Sequence, residues 1–280
     1  MPDATLGTIE ALWRYPVKSM QGEEVEESTV GPRGLAGDRA YALYDPESNR
    51  IASAKRPLVW GKLFEFGASI VEAGEPPVVR VTFPDGTSAE TGGDGLEARL
   101  SEEFGMEVRV LSAPPEGARY MSVPLGESEG EATAEFPVMN GFFDLGALHL
   151  LSTGTLAHLS ALYPEGTFAA RRYRPNVVVG TPESARAQTG ARSGGFVENG
   201  WVGKTLALGD EVRVRVFTPA PRCVMTTLPQ PARGELAALP NDPGILRAAA
   251  ANNQNNVGVY AIVERGGVVR RGDAVVVDSG

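Results

Sequence analysis

Cysteine is almost missing: Cys223 is the sole one in 280 residues. The chain therefore makes no internal disulfide, no C-x-x-C zinc cluster and no protein-held iron–sulfur centre. Histidine is nearly as scarce. His149 and His158 are the only two, too few and wrongly spaced for a zinc hydrolase. Basic charge is in deficit, with 26 Lys and Arg against 35 Asp and Glu, a net charge of −9 and a pI near 4.9. That balance argues against sequence-independent binding to nucleic acid or to an anionic membrane. No apolar run approaches the roughly 18 residues needed to span a bilayer. Met1-Pro-Asp-Ala4 has neither the basic nor the apolar stretch of a signal peptide. With one thiol and no export signal, the expected location is cytoplasmic. A G-x-S-x-G elbow, a P-loop and a strand-borne G-x-G-x-x-G are also lacking. Gly31-Pro-Arg-Gly34 and Gly190-Ala-Arg-Ser-Gly194 match none of them.

Turn formers, by contrast, are plentiful. Thirty-four glycines and 21 prolines divide the chain into short elements, as in β-rich architectures. Strands are expected at Thr8–Tyr15, Ala40–Tyr44, Phe64–Ile70, Val78–Phe83 and Val108–Leu111, with one helix at Leu96–Phe104 closed by Gly105. Residues 114–137 turn acidic and Gly/Glu-rich, the composition of an exposed connector. Beyond them come strands at Leu148–Leu151, Asn176–Val179, Glu211–Phe217, Val257–Val263 and Ala274–Val277. A helix capped by Ser152 or Thr153 runs to about Leu162, and another lies near Gly244–Ala251. The expected fold class is mainly β with some α (α+β). The first part reads as a small barrel or sandwich and the rest as a mixture of strands and helices.

Four constellations carry chemistry. Tyr15-Pro-Val-Lys-Ser-Met20 puts Lys18 and Ser19 at a strand exit, where an ammonium and a hydroxyl can grip a phosphate; the plainer reading is a solvated loop lysine. Gly31-Pro-Arg-Gly-Leu-Ala-Gly-Asp-Arg39 ends in an acid–base pair whose plainer reading is a turn with a surface salt bridge. In Arg172-Tyr-Arg-Pro-Asn176, an extended backbone would set Arg174 and Asn176 on one side. Last, Thr218-Pro-Ala-Pro-Arg-Cys-Val-Met-Thr-Thr227 displays the thiol of Cys223 next to Arg222 in a proline-stiffened loop. A buried inert cysteine is the alternative. His149, in an apolar strand, reads as a buried hydrogen-bonded side chain rather than a base for Cys223.

Taken in order, Tyr15-Pro-Val-Lys-Ser19, Gly37-Asp-Arg39, Arg174-Pro-Asn176, Trp201-Val-Gly-Lys-Thr-Leu-Ala-Leu-Gly209, Arg222-Cys223 with Thr226-Thr227, and Gly272-Asp273 resemble the MOSC family. The resemblance is to members carrying an N-terminal MOSC β-barrel domain, such as the mitochondrial amidoxime reducing component and YcbX-type proteins. It implies a small N-terminal β-barrel-like domain over 1–125, a second β-barrel domain with a few helices over 126–280, and a molybdenum cofactor (Mo-molybdopterin) in the cleft between them. By the same resemblance Cys223 is the metal ligand and catalytic residue, Lys18, Ser19 and Arg39 hold the phosphate, Arg174 and Asn176 contact the pterin, and Asp144 and Arg222 lie nearby. Leu145-Gly-Ala147 lacks hydroxyl residues found in some members, and Pro221 replaces a serine found in others. The implied activity is an oxidoreductase that reduces small N-hydroxylated compounds such as amidoximes, hydroxylamines or N-hydroxylated bases. A separate electron-transfer protein is expected, ferredoxin-like or a cytochrome/flavin reductase, since no second cysteine serves an internal relay. The other readings are a sulfur-carrier or cofactor-handling protein with a persulfide on Cys223, and a molybdopterin store without turnover. Pyridoxal phosphate is not expected, because the sulfurase that uses it carries it on a separate domain.

Overall fold

Strands rich in valine and leucine close on themselves in the computed structural model, which describes residues 5–122, 134–137, 141–143, 145–182 and 195–278. In chain order the closing strands are β1 (Thr5–Arg14), β2 (Leu148–Ser152), β3 (Val177–Gly180), β4 (Thr205–Leu208), β5 (Val212–Pro221), β6 (Asn256–Arg265) and β7 (Ala274–Val277). Their order around the barrel is β3-β2-β6-β5-β4-β7-β1, and β1 pairs back onto β3. Closure leaves these seven strands without an open edge between them. All neighbours are antiparallel except β2 and β3. That parallel pair is joined by the helix Thr153–Leu162, the crossover a parallel connection requires.

Inward residues fill the barrel: Ile9 and Leu12 from β1, Leu148 and Leu150 from β2, Val177 and Val179 from β3, Val214 and Val216 from β5, and Val259 and Ala261 from β6. All five residues of β2 are buried, because its outer face lies under helices. Leu151, Leu159, Tyr173, Ile245 and Val257 form that outer layer. The first of these helices begins on the expected Ser152, and both are capped by a side chain. The Ser152 hydroxyl accepts from the Thr155 amide at 3.0 Å, and Asp242 accepts from Gly244 at 2.8 Å ahead of Pro243 in the helix Pro243–Asn253.

The chain between β1 and β2 forms smaller sheets. Gly67–Glu72, Val78–Thr82 and Ser88–Glu90 make one, and five short strands including Ala42–Asp45 and Arg109–Leu111 make another. They pack with the helix Leu96–Phe104 around Met20, Leu43, Trp60, Phe66, Val81 and Leu100. Two expectations are corrected here. The first half of the expected strand Phe64–Ile70 is a 3₁₀ turn, Gly61–Glu65. The expected connector 114–137 contains two paired strands, Arg119–Ser122 and Ala134–Pro137; Tyr120 stacks on Phe136 there at 5.4 Å, a cross-strand contact that acidic composition concealed. A third cluster joins the two halves: Ala54 and Phe64 pack against Met225, Leu228 and Cys223. The structure is thus mostly strand with four α-helices among the described residues. No helix among them is long and apolar enough to cross a membrane.

Candidate cofactor site

Where the small sheets meet the barrel, a cavity of about 420 Å³ opens, the size range of small-molecule and cofactor pockets. Lys18, Ser19, Arg39, Arg174, Asn176, Arg222 and Cys223 all line it. Segments more than 200 residues apart in sequence are thus brought to one place. Asp144, the remaining expected site residue, lies outside the described residues.

The loops that present these groups are held in unusual backbone. Ser19, Arg39 and Arg174 have φ of 66°, 48° and 55°, left-handed values that L-residues adopt seldom and that cluster at functional sites. Hydrogen bonds hold them there. Arg39 N–H donates to the Tyr15 carbonyl at 2.8 Å, the Ser19 hydroxyl accepts from the Ala54 amide at 3.1 Å, and the Arg174 guanidinium donates to the Met20 carbonyl. Arg174 is therefore not in extended backbone. It reaches the cavity with Asn176 through a turn that follows the 3₁₀ segment Ala170–Arg172, which corrects the expected extended geometry.

Tyr15 is the platform beneath two of the cations. The Arg174 guanidinium lies 4.2 Å from its ring centre and that of Arg39 4.9 Å, both within cation–π range. Asp38 fixes the second of them: one oxygen accepts from the Tyr15 amide at 2.8 Å and the other pairs with Arg39. Burial alone would lower the Arg39 pKa, but the Asp38 carboxylate outweighs it and the net shift is upward. This pair is buried, with Asp38 0% exposed at its side chain, so it is no surface salt bridge. Burial pushes the Tyr15 phenol upward too, and its hydroxyl has no hydrogen-bond partner among the described residues.

The remaining lining side chains are also tied into the scaffold to different degrees. Asn176 ties strands together, accepting from the His149 amide at 3.1 Å and donating to the Trp13 carbonyl at 3.3 Å. Arg222 donates to the carbonyls of Ala220 and Tyr173 and to the Tyr260 hydroxyl, at 3.1, 2.9 and 2.9 Å. Those bonds fix its guanidinium at the edge of the cavity, which Tyr173 and Tyr260 line as well. Lys18 is buried and donates to the Phe142 carbonyl at 2.9 Å, its ammonium over the Tyr120 ring. Cys223 is partly exposed and unpaired, and it caps the 3₁₀ turn Val224–Thr227. Thr226 and Thr227 sit in that turn; their hydroxyls close it by donating to the carbonyls of Cys223 and Val224. His149 is buried with Nε2 on the Val257 carbonyl at 3.1 Å. Burial, then the nearby Arg222, hold its pKa well below the usual imidazole range, so it is a neutral structural side chain at neutral pH.

Lys55, Arg172, Tyr173 and Tyr260 also line the cavity and were not anticipated. Arg172 donates to four backbone carbonyls, of Thr167, Thr226, Leu228 and Pro240, and so fixes the cysteine loop from behind. Six cationic side chains, Lys18, Arg39, Lys55, Arg172, Arg174 and Arg222, surround the cavity, and no carboxylate lines it among the described residues. Such a lining, with a thiol, suits an anionic ligand bearing a soft metal or sulfur centre. Among the described residues no cluster of three His, Cys, Asp or Glu side chains can hold a metal by itself.

The protein is thus of the class in which a closed β-barrel meets smaller sheets at a cleft lined by cations and one thiol. The chain belongs to the MOSC family: residues 6–126 match the MOSC N-terminal beta barrel domain and residues 140–276 the MOSC domain. Mitochondrial amidoxime reducing component 2 of Rattus norvegicus is 25% identical over 250 residues, which cover 80% of this chain and 67% of that one. Among solved structures, YuaD from Bacillus subtilis aligns over 97% of this chain and 94% of its own, with 12% identity and a TM-score of 0.44. YiiM from Escherichia coli aligns over 48% of this chain and 55% of its own, with 14% identity and a TM-score of 0.33.

Proposed function

We propose that this protein binds a molybdenum cofactor in the cleft and acts as an oxidoreductase on small N-hydroxylated compounds, with electrons from a separate protein. The observation that carries the reading is the convergence of six cations and one thiol on a single cavity in a chain of net charge −9. The fit to the group rests on its chemistry. A pterin phosphate wants ammonium and guanidinium donors, its ring edge wants planar hydrogen-bonding partners, and molybdenum accepts a thiolate. Membership of the MOSC family and the likeness to an amidoxime reducing component support the same direction.

In this reading Cys223 supplies the thiolate ligand. Lys18, Ser19 and Arg39 hold the phosphate, Arg174 and Asn176 face the pterin, and Arg222 and Arg172 keep the cysteine loop in place. When bound, the cofactor supplies a two-electron redox centre for cleavage of an N–O bond with release of water. The chain contributes position, charge neutralisation and a partly closed site.

The test is elemental analysis of protein made in a host that synthesises molybdopterin. About one molybdenum per chain, lost in Cys223→Ser, is expected for a single ligated centre. Metal-free protein bearing cyanide-labile sulfur on Cys223 would overturn this in favour of a sulfur carrier. Turnover of a hydroxylamine with a chemical reductant then separates an enzyme from a store.

A further inference from the structure

Behind the cysteine loop lies a second cavity, of about 690 Å³, between the small sheets and the segment that follows β5. Its walls are largely apolar, with Phe83, Leu228, Pro229 and Leu239 among them. The hairpin from Gln230 to Leu239 forms one side. It is closed by paired backbone bonds between those two residues, at 2.9 and 2.8 Å, and again between Arg233 and Leu236. Two residues of its wall carry side-chain donors that are short of partners among the described residues. Gln230 is 2% exposed, lines the cavity, and its buried side-chain amide nitrogen has no hydrogen-bond partner among the described residues, an arrangement that native structures rarely leave unexplained.

Arg233 is the other donor. Its seat is built into the fold: a Cβ on Gly67 would lie 0.8 Å from the guanidinium, so the absence of a side chain at Gly67 makes the room. Yet among the described residues the guanidinium donates only to the Thr82 hydroxyl, at 3.0 Å. Glu23, whose charge reaches it, is already bonded to Arg14 at 2.7 Å. A half-buried guanidinium with one neutral partner has donors to spare for a planar anion. Glu65 is the carboxylate on the cavity wall, and it is exposed to solvent that screens it.

We propose that this cavity is a second binding site, for a small monocarboxylate with an aromatic or aliphatic body. The carboxylate meets Arg233 and the Gln230 amide, and the hydrocarbon lies along Phe83, Leu228 and Leu239. Leu228 also packs against Met225 beside Cys223, so the occupant touches the back of the loop that carries the thiol. The site is independent of the cofactor reading.

Isothermal titration with 4-phenylbutyrate, with 4-phenylbutanol as the uncharged control, tests it on the full chain. Saturable binding of the acid is expected, weakened about tenfold or more by Arg233→Gln and by Gln230→Leu through loss of charge-assisted hydrogen bonds. The alcohol should bind correspondingly weakly. Lys18→Ala and Arg39→Gln, which alter only the first cavity, should leave the affinity unchanged. Ala238→Trp, which fills the second cavity, should abolish binding while thermal melting reports an intact fold. Equal binding of acid and alcohol, no saturable binding, or loss of binding in the Lys18 and Arg39 variants but not in Arg233→Gln would each overturn the proposal.

Discussion

Tyr15 holds two cations against one ring while its own hydroxyl is buried with no hydrogen-bond partner among the described residues. Ring and hydroxyl therefore make opposite contributions. Tyr15→Phe keeps the platform and removes a stranded polar group, and should stabilise the protein by ~1 kcal/mol in chemical denaturation. Tyr15→Ala should cost about 3–5 kcal/mol, as large-to-small core changes do, and should weaken anion binding in the cleft. Glu198 is a second residue whose burial has a measurable consequence. It is 1% exposed and accepts from the Ser152 amide at 3.0 Å and the hydroxyls of Ser152 and Thr155. Burial nonetheless outweighs those bonds and raises its pKa. A raised carboxyl pKa favours the protonated folded form, so its stabilising contribution is full below the ordinary carboxylate pKa and is lost as pH rises through the raised value. Thermal melts between roughly pH 4 and pH 8 should show the advantage of Glu198→Gln over wild type growing with pH; a constant difference would sink the assignment.

At the scale of elements, two seams decide whether the site exists. The first is the β1–β3 pairing that closes the barrel. A Cβ on Gly7 would come within 2.0 Å of the Gly180 carbonyl oxygen, so the strands approach as closely as they do because position 7 has no side chain. Gly7→Ala should destabilise by about 1–3 kcal/mol, as overpacking does, with faster hydrogen exchange in β1 and β3 before the rest of the barrel. The second is the cysteine loop, held from behind by Arg172. Arg172→Met leaves carbonyls of Thr226 and Leu228 without their donor. Faster alkylation of Cys223 is expected, with little rescue by Arg172→Lys, because an ammonium cannot replace a planar fork that reaches four acceptors. An alkylation rate equal to wild type would show that the loop holds itself.

For the whole molecule the decisive feature is that β1 belongs to the barrel although more than 130 residues separate it from β2. Residues 126–280 expressed alone lack β1, which opens two edges between β3 and β7 and removes Leu6, Ile9 and Leu12 from the core. That fragment should aggregate or remain unfolded by circular dichroism, and a well-folded monomer would contradict the argument. Six of the seven barrel strands, the three longer helices and the cap at Ser152 were legible, because periodicity and capping are local properties of a chain. So was the set Lys18, Ser19, Arg39, Arg174, Asn176, Arg222 and Cys223, whose chemical types and order carry the family resemblance. Lys55, Arg172 and Tyr260 were not legible, since no spacing links residues from separate segments that share a cavity. Nor was the pair of strands within 119–137, where acidic composition masks a short alternation. The sequence by itself determined which elements form and which chemistries are excluded: one thiol, two histidines and no span for a membrane helix. Only the tertiary structure decided that β1 closes the barrel, that Arg222 is held by the Tyr260 hydroxyl while Arg39 and Arg174 share the ring of Tyr15, and that a second cavity lies behind the thiol. Those are facts of packing, in which contacts between distant segments compete for the same space and no local pattern records the outcome.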